Sequence, residues 1–368
     1  MAHGRRAIAV ALAALGLAAP AQAATPLRLG VAADVGEGAS VPTEVAQVAR
    51  TGARWLREDL EWNRAEPAPG RFDWRAFDGV VAAAAREGVR VLPILDAAPC
   101  WAAPAGTAPE ECWRTLPARE GTLARFAAAA AARFGPGGAF WLAHPELDAQ
   151  LASPWLEVWN EPYFPTGAQP VDAARYAQLF AAAAAAGRAA NPATRWLAAA
   201  TTTYTASAGG FGAWAPALRA VAGDVDGLSL HVYPGDRPPE GAITAFVDDV
   251  LDGLGEPRPV WVTELGYAAC APAEVPGRCV PGDTRAAREE RKAGWLGRAI
   301  DELARAPHVE AAFTYTLREY AAPFHGDLGL LARGSVPLPA HAALQAAAAR
   351  WGGAGAPGPF SWPPAALP

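Results

Sequence analysis

The sequence predicts a (β/α)8 barrel, in which eight parallel strands form a closed ring and a helix follows each strand. Eight apolar stretches with strand character alternate along the chain with stretches of helical periodicity. Such an alternation favours a parallel sheet with right-handed connections. The chain of 368 residues is also long enough for one barrel of eight such units.

The predicted elements are bounded by turn and capping residues. The strands are predicted at 27–35, 53–62, 89–96, 155–161, 194–202, 225–233, 258–264 and 309–317. The helices are predicted at 41–50, 74–87, 116–134, 171–190, 212–222, 243–253, 284–306 and 339–351. Gly52 and Gly88 end the first two helices, and Asp73 is a good N-cap for the second. The third strand is a nearly continuous apolar run, typical of a buried parallel strand.

An open, doubly wound α/β sheet is the alternative architecture for this alternation. That fold usually has a glycine-rich phosphate-binding loop after its first strand. Gly36-Glu37-Gly38 lies at that place and does not match the G-x-G-x-x-G pattern. The barrel is therefore favoured, and we predict a single domain over residues 24–351.

The first 23 residues have the features of a secretory signal peptide. Arg5 and Arg6 precede an apolar run at 7–19, and Ala21-Gln22-Ala23 is a small-x-small cleavage site. A transmembrane anchor is disfavoured because the run is short and a cleavage site follows it. We expect cleavage after Ala23 and secretion, either extracellular or periplasmic. A Gly/Pro-rich tail occupies 352–368.

Composition and cysteine content limit the classes of binding partner and the cellular compartment that we expect for this protein. The formal net charge is −6 and there is no basic stripe, so nucleic acid is not an expected partner. No later stretch approaches the length of a membrane span. The four cysteines form two local pairs, and we expect the disulfides Cys100–Cys112 and Cys270–Cys279, although four cysteines permit three connectivities. A metal site is the alternative, but neither pair has a histidine at ligand spacing.

Two stretches of similar construction each end in a glutamate. Residues 156–162 read LEVWNEP and carry Glu161 beside Asn160, and residues 260–267 read VWVTELGY and carry Glu264. In a barrel the carboxyl ends of all strands meet at one face, and strands four and seven lie on opposite sides of the ring. Glu161 and Glu264 are therefore expected to face one another across the barrel mouth. Cleavage of a glycosidic bond needs such a pair, one an acid and the other an ionised carboxylate.

Other polar and aromatic side chains are expected at the same face. The strand ends supply Arg57, Asp59, Asp96, Asn160, His231, Tyr233, Tyr315 and Arg318. Trp101 and Trp113 lie in or beside the loop between the first two cysteines and are candidate sugar-stacking residues. His231 taken alone is typical of a core histidine, and Asp59 and Asp96 are also compatible with loop caps. A metal site at Glu319, His325 and Asp327 has no second ligand cluster to support it.

The motifs around the two glutamates resemble the catalytic motifs of clan A retaining glycoside hydrolases, such as families 5 and 39. The matching motifs are Trp159-Asn160-Glu161-Pro162 and Thr263-Glu264. Further similarity lies in 62–74, which includes Phe72-Asp73-Trp74, in 134–147, and in His231-Val232-Tyr233. The resemblance spans residues 30–333 and implies the (β/α)8 fold of those families.

The resemblance also implies a role for each matching residue. Glu161 is expected to be the general acid/base and Glu264 the nucleophile, with their carboxyl groups about 5–5.5 Å apart. Asn160 is expected to bind the sugar 2-hydroxyl. Tyr233 is expected to hold Glu264 by a hydrogen bond, and Arg57 to keep it ionised.

Two further expectations concern the surroundings of the pair. Glu161 is expected to stay protonated in the free enzyme, with Trp159 and Tyr163 making its environment less polar. Family members usually have a tryptophan at the end of strand eight, as a floor for the sugar. This chain has Tyr315 in that region, which is the candidate substitute.

Together these observations predict a retaining glycoside hydrolase that cleaves a β-linked oligo- or polysaccharide by double displacement. The alternatives are a catalytically silent carbohydrate-binding barrel and a transglycosidase with the same residues. No metal or organic cofactor is implied, since two carboxylates suffice for the reaction. The sequence leaves the glycan, endo or exo action and the oligomeric state open.

Overall fold

The structure, a computed structural model, describes residues 26–36, 40–165, 170–203, 211–235, 237–269, 284–319 and 327–352. Eight parallel strands pair in chain order, and the eighth pairs with the first to close the barrel. The predicted (β/α)8 fold is therefore confirmed. The predicted signal peptide, the Cys270–Cys279 pair and the tail beyond residue 352 lie outside the described residues.

The barrel strands lie close to their predicted positions. They are β1 (Arg28–Ala32), β2 (Trp55–Glu61), β3 (Arg90–Asp96), β4 (Trp155–Val158), β5 (Arg195–Thr202), β6 (Gly227–Val232), β7 (Val260–Leu265) and β8 (Val309–Tyr315). A two-stranded hairpin follows, β9 (Leu331–Ala332) with β10 (Val336–Pro337). The largest differences are at the ends of the first and fourth strands, because the chain turns toward the barrel mouth before the apolar run is complete.

The helices surround the barrel on its outer side. They are α1 (Val41–Arg50), α2 (Trp62–Ala65), α3 (Arg75–Arg86), α4 (Glu120–Phe134), α5 (Ala139–Ala143), α6 (Ala173–Ala190), α7 (Phe211–Ala220), α8 (Ala242–Leu254), α9 (Arg285–Leu303) and α10 (Pro339–Trp351). The sequence did not predict the short helices α2 and α5. The N-cap of α3 is Trp74 rather than Asp73, whose carboxylate instead accepts a hydrogen bond from the backbone N–H of Arg75.

Two layers of side chains inside the barrel, one aromatic and one polar, lie below the site. Trp55, Trp155, Trp261 and Phe313 fill the lower interior, with ring centroids of Trp261 at 5.2 Å from Trp55 and 5.0 Å from Trp155. Side chains alternate along a strand, so the residue two positions after each tryptophan faces the same interior. These residues are Arg57 on β2, Glu157 on β4 and Thr263 on β7, and they form a polar layer above the aromatic one.

The loop after β3 is tied by the disulfide between Cys100 and Cys112, which confirms one of the two predicted pairs. This loop carries Trp101, whose indole N–H donates to the carbonyl of Glu66 at 3.0 Å. Its ring packs edge-on against buried Trp62. Among the described residues, no helix is long and apolar enough to cross a membrane.

Candidate active site

A β-bulge in β7 aims two successive side chains at the barrel interior. In the pairing with β6, Leu230 lies opposite Val262 whereas the next residue, His231, lies opposite Glu264. Thr263 is the additional residue, and bulges of this kind locally break the alternation of side chains. As a result, Thr263 donates to Glu157 in the polar layer at 3.3 Å, while Glu264 reaches the site above it.

Glu264 is held at both oxygens. Arg57 donates to Oε1 through Nη1 at 2.9 Å, and the Tyr233 hydroxyl donates to Oε2. The Glu264 side chain is only 8% exposed, so these two contacts replace the water that an ionised carboxylate needs. The arrangement fixes an ionised carboxylate in one orientation, as we expected from the sequence for Arg57 and Tyr233.

Gly266 makes room for the Tyr233 ring. A Cβ atom at position 266 would lie 2.4 Å from Cε1 of Tyr233, closer than nonbonded carbon atoms approach. This glycine does not have the left-handed backbone conformation, so its role is to permit close approach rather than a special turn. The missing side chain therefore allows Tyr233 to lie against Glu264.

Arg57 links two carboxylates through a network that includes a residue the sequence analysis overlooked. Its Nε donates to Oε2 of Glu157 at 2.6 Å, and its Nη2 donates to Oδ1 of Asn160 at 3.0 Å. Glu157 is fully buried and also accepts from Ser229 at 2.5 Å. Burial lowers the pKa of Arg57, but the charges of Glu157 and Glu264 outweigh it and the net pKa is raised. Arg57 is thus permanently cationic, and it pairs with both Glu157 and Glu264.

Glu161 lies beyond the end of β4, in a loop with an unusual backbone. The strand ends at Val158, and both Trp159 and Glu161 have positive φ angles, 69° and 46°. Such conformations cost about 1–3 kcal/mol each for residues other than glycine and cluster at functional sites. They turn Asn160 and Glu161 into the barrel mouth. The Glu161 side chain is 29% exposed, so it borders the open cleft whereas Glu264 is buried.

His231 lies between the two glutamates. Its Nδ1 atom is 2.8 Å from Oε1 of Glu161 and 3.3 Å from Oε2 of Glu264. Burial lowers the pKa of His231, but the charges of both glutamates and the hydrogen bond to Glu161 raise it above its usual value. His231 therefore contacts both glutamates, and it is a member of the site and not a core histidine.

The protonation of Glu161 in the free enzyme stays a prediction, and the neighbours of its carboxyl group oppose it. Burial raises the pKa of Glu161, but the hydrogen bond and charge of His231, together with Arg57, more than offset this and lower it. Tyr163 adds a contact to Glu161 Oε1 at 3.5 Å, at the limit of hydrogen bonding.

One oxygen of Glu161, one of Glu264 and one nitrogen of His231 all lie within 4.8 Å of one another. Three such groups resemble a metal site in spacing. Both oxygens of Glu264 already accept hydrogen bonds from Arg57 and Tyr233, and Nδ1 of His231 lies at hydrogen-bonding distance from Glu161. The donor set therefore fits a charge-paired carboxylate couple better than a metal ion.

The remaining predicted site residues divide into two groups. Tyr315 ends β8 with its ring centroid 6.1 Å from that of Tyr233, which brings it to the barrel mouth. Asp59 and Asp96 end neighbouring strands of the same mouth. Trp101 contacts Trp62 and Glu66, and within the described residues none of its recorded contacts is with the glutamate pair. Its role in sugar stacking stays a prediction.

Glu157, Ser229 and Thr263 were missed as site residues by sequence reasoning. One signal for Glu157 was available, since a glutamate at an inward-facing position of a buried strand needs a cationic partner. Ser229 and Thr263 carried no such signal, because hydroxyl residues are common in strands.

Several solved structures that share the fold of this chain are glycoside hydrolases. A family 39 glycoside hydrolase from Bacteroides cellulosilyticus WH2 is 20% identical with a TM-score of 0.61, over 88% of this chain and 64% of that protein. GH5_18 from Streptomyces cattleya, crystallised with GlcNAc, is 19% identical with a TM-score of 0.67, over 89% and 81%. A β-xylosidase from Caulobacter crescentus CB15 is 18% identical with a TM-score of 0.61, over 88% and 68%.

No family model and no curated protein matches the sequence. At this level of identity the similarity establishes the shared (β/α)8 barrel and leaves the chemistry to be argued from the site itself. The chain spans less than two thirds of the length of the family 39 protein.

Proposed function

We propose that the protein is a retaining glycoside hydrolase with Glu264 as nucleophile and Glu161 as general acid/base. The observation that carries this proposal is the approach of the two carboxyl groups, with oxygens within 4.8 Å at the barrel mouth. Retaining enzymes have carboxyl groups about 5–5.5 Å apart, whereas inverting enzymes need about 6.5–9.5 Å to admit a water molecule. The spacing in this site supports double displacement.

The environments of the two glutamates support different roles. Glu264 is buried and paired with permanently charged Arg57, which suits a nucleophile that must be ionised. Glu161 is more exposed, and its Oε1 lies 2.8 Å from Nδ1 of His231, which is suited to pass a proton to it. Transfer of that proton to Glu161 would generate the acid when a substrate displaces water from the cleft.

In the proposed first step, Glu264 attacks the anomeric carbon and forms an ester, while Glu161 gives its proton to the leaving glycosidic oxygen. In the second step Glu161 accepts a proton from water, which attacks the same carbon and releases Glu264. Formation of the ester removes the negative charge of Glu264, so the carboxylate charge next to His231 falls during this half of the cycle. Asn160, fixed by Arg57 at 3.0 Å and exposed to the cleft, is suited to bind the 2-hydroxyl.

A β-linked oligo- or polysaccharide is the proposed substrate. The solved structures with this fold include a β-xylosidase, an exo-β-1,4-mannosidase and a GH5_18 variant in complex with Manb1-4GlcNAc. The proposal for this chain rests on its carboxylate pair, and those proteins only indicate the class of bond. We also propose that the protein is secreted, which agrees with the Cys100–Cys112 disulfide, since such bonds persist in oxidising compartments.

The test is a screen of β-glycans with the wild type beside Glu264→Ala, with azide as an external nucleophile. We expect one glycan to be cleaved with retention, Glu264→Ala to be inactive, and azide to restore turnover with a glycosyl azide of inverted configuration. Glu161→Ala is the matched variant, because azide should there give a product of retained configuration. If the wild type binds a glycan without cleaving it, the protein is a carbohydrate-binding barrel. Net transfer to a sugar acceptor would instead indicate a transglycosidase.

A further inference from the structure

Arg57 holds two carboxylates at once, and only one of them takes part in the proposed reaction. Its Nη1 atom donates to Glu264 at 2.9 Å, whereas Nε and Nη2 both donate to Glu157, at 2.6 and 3.3 Å. A two-point contact of this kind fixes the plane of a guanidinium group. Glu157 therefore determines where the other N–H groups of Arg57 point. They point at Glu264 and, through Nη2, at Asn160.

Glu157 acts on the site only through other residues. Its side chain is fully buried in the polar layer of the barrel, so it does not touch a substrate in the cleft. Ser229 donates to its Oε1 atom at 2.5 Å, and the hydroxyl of Thr263 lies 2.6 Å from that of Ser229. A buried carboxylate needs such donors and a cationic partner. Any effect of Glu157 on the reaction is therefore transmitted by Arg57.

The charge balance around Arg57 changes during the proposed reaction. In the free enzyme the one positive charge of Arg57 faces the two negative charges of Glu157 and Glu264. When Glu264 becomes an ester, Arg57 and Glu157 remain and balance each other. Formation of the ester thus removes an excess negative charge from a buried place, where such a charge is costly. Without the charge of Glu157, the same step would leave an isolated buried cation.

We propose that Glu157 is a positioning residue that keeps Glu264 reactive by sharing the charge of Arg57, and that it stabilises the glycosyl-enzyme. This inference rests on the proposed function, since it assigns a role in the same double displacement. A carboxylate that is the sole partner of a buried cation is a poorer nucleophile and a better leaving group, because the cation stabilises its negative charge. Loss of the Glu157 charge should therefore slow the formation of the ester and accelerate its hydrolysis.

Fluorinated sugars allow the two steps to be measured separately. The probes are 2-deoxy-2-fluoro-β-D-glucosyl, -xylosyl and -mannosyl fluoride, and intact-protein mass spectrometry follows the sugar on the protein. In the labelling step an oxygen of Glu264 bonds to the anomeric carbon and fluoride leaves. In the release step water attacks that carbon and gives a proton to Glu161, while the ester bond breaks and Glu264 recovers its charge. The fluorine replaces the 2-hydroxyl, so the proposed hydrogen bond of Asn160 to that group does not affect the comparison.

Glu157→Gln is the decisive variant, since the amide keeps the shape of the side chain and removes its charge. Labelling should be about tenfold slower or more and release about tenfold faster or more, because an interaction with a charged group has an effect of this size. General damage to the site would slow both steps, so the opposite signs distinguish a charge effect from a structural one. Glu310→Gln, which breaks the partly exposed pair with Arg28, is the matched control and should keep both rates.

Ser229→Ala tests the same inference without removing a charge, and it decides the matter if Glu157→Gln does not fold. Glu157 loses its hydrogen bond of 2.5 Å and interacts more strongly with Arg57, so the ratio of release rate to labelling rate should fall about threefold.

Two outcomes would overturn the inference. One is a folded Glu157→Gln in which both steps slow or neither changes. The other, where that variant does not fold, is a Ser229→Ala ratio that stays the same or rises. In both cases the wild type is labelled and the proposed function stands. A wild type that none of the probes labels would contradict the proposed function, and the inference with it.

Discussion

The Nδ1 atom of His231 lies 2.8 Å from Oε1 of Glu161, within hydrogen-bonding distance. The raised pKa of His231 and the lowered pKa of Glu161 have a common cause, the interaction between the two groups. Each group favours the charged form of the other, and Glu264 at 3.3 Å favours the imidazolium as well. We therefore propose that His231 supplies the acid proton of the resting site.

Replacing His231 with asparagine should move the alkaline limb of the pH profile of kcat/KM. In the wild type the stored proton is lost as pH rises through the pKa of His231, which lies above the usual value of 6.5, so activity should fall there. In His231→Asn the acid proton can come only from Glu161 itself. The alkaline limb of the pH profile should therefore shift to lower pH.

The measurement is kcat/KM from about pH 4 to 9 for both proteins. His308→Asn, at the amino-terminal end of the barrel, is the control and should keep the wild-type profile. A limb that does not move in His231→Asn would assign the acid proton to Glu161 alone.

Glu157→Gln should destabilise the protein. Glu157 is fully buried and balances Arg57, and removing one partner of a buried ion pair costs about 3–5 kcal/mol. The amide keeps part of the hydrogen bonding, so the lower end of that range is expected in urea unfolding. Glu310→Gln breaks a half-exposed pair with Arg28 and should change the unfolding free energy by about 1 kcal/mol or less. Equal stability of the two variants would mean that Glu157 is not the counter-charge.

Gly266→Ala should lower kcat about 100-fold with little effect on the fold, because misplacement of a positioning group by about 1 Å has that effect. The added methyl group would meet the Tyr233 ring at 2.4 Å and push its hydroxyl away from Glu264. Tyr233→Phe should reproduce most of the loss, since it removes the same hydrogen bond. Gly79→Ala in α3 adds a methyl group into open space and should keep full activity. Wild-type kcat in Gly266→Ala would show that Tyr233 does not position the nucleophile.

Removing the disulfide with the pair Cys100→Ser and Cys112→Ser should lower the unfolding free energy by about 3 kcal/mol, the entropic value for closing a loop of this length. Guanidinium unfolding with and without a reducing agent measures the effect. The wild type should lose stability in reductant, and the double variant should lose less. If reductant destabilises the double variant equally, the stabilisation comes from other cysteines of the chain.

The sequence alone was sufficient to predict the barrel, the two glutamates and most of the site residues around them. Eight βα alternations leave few topologies, and a closed barrel brings every strand end to one face whatever its detailed register. Arg57, Asn160, His231 and Tyr233 were identified in this way. Local patterns were sufficient because each of these residues lies at or just past the end of an apolar run.

Only the tertiary structure decided how the charges are distributed. The bulge that turns both Thr263 and Glu264 inward, the pairing of Glu157 with Arg57, and the position of His231 between two carboxylates all depend on contacts between distant strands. The lowered pKa of Glu161 follows from the last of these contacts, which the sequence alone could not show. A pKa is set by all charges within a few ångströms, and in a barrel those charges come from strands up to two hundred residues apart in the chain.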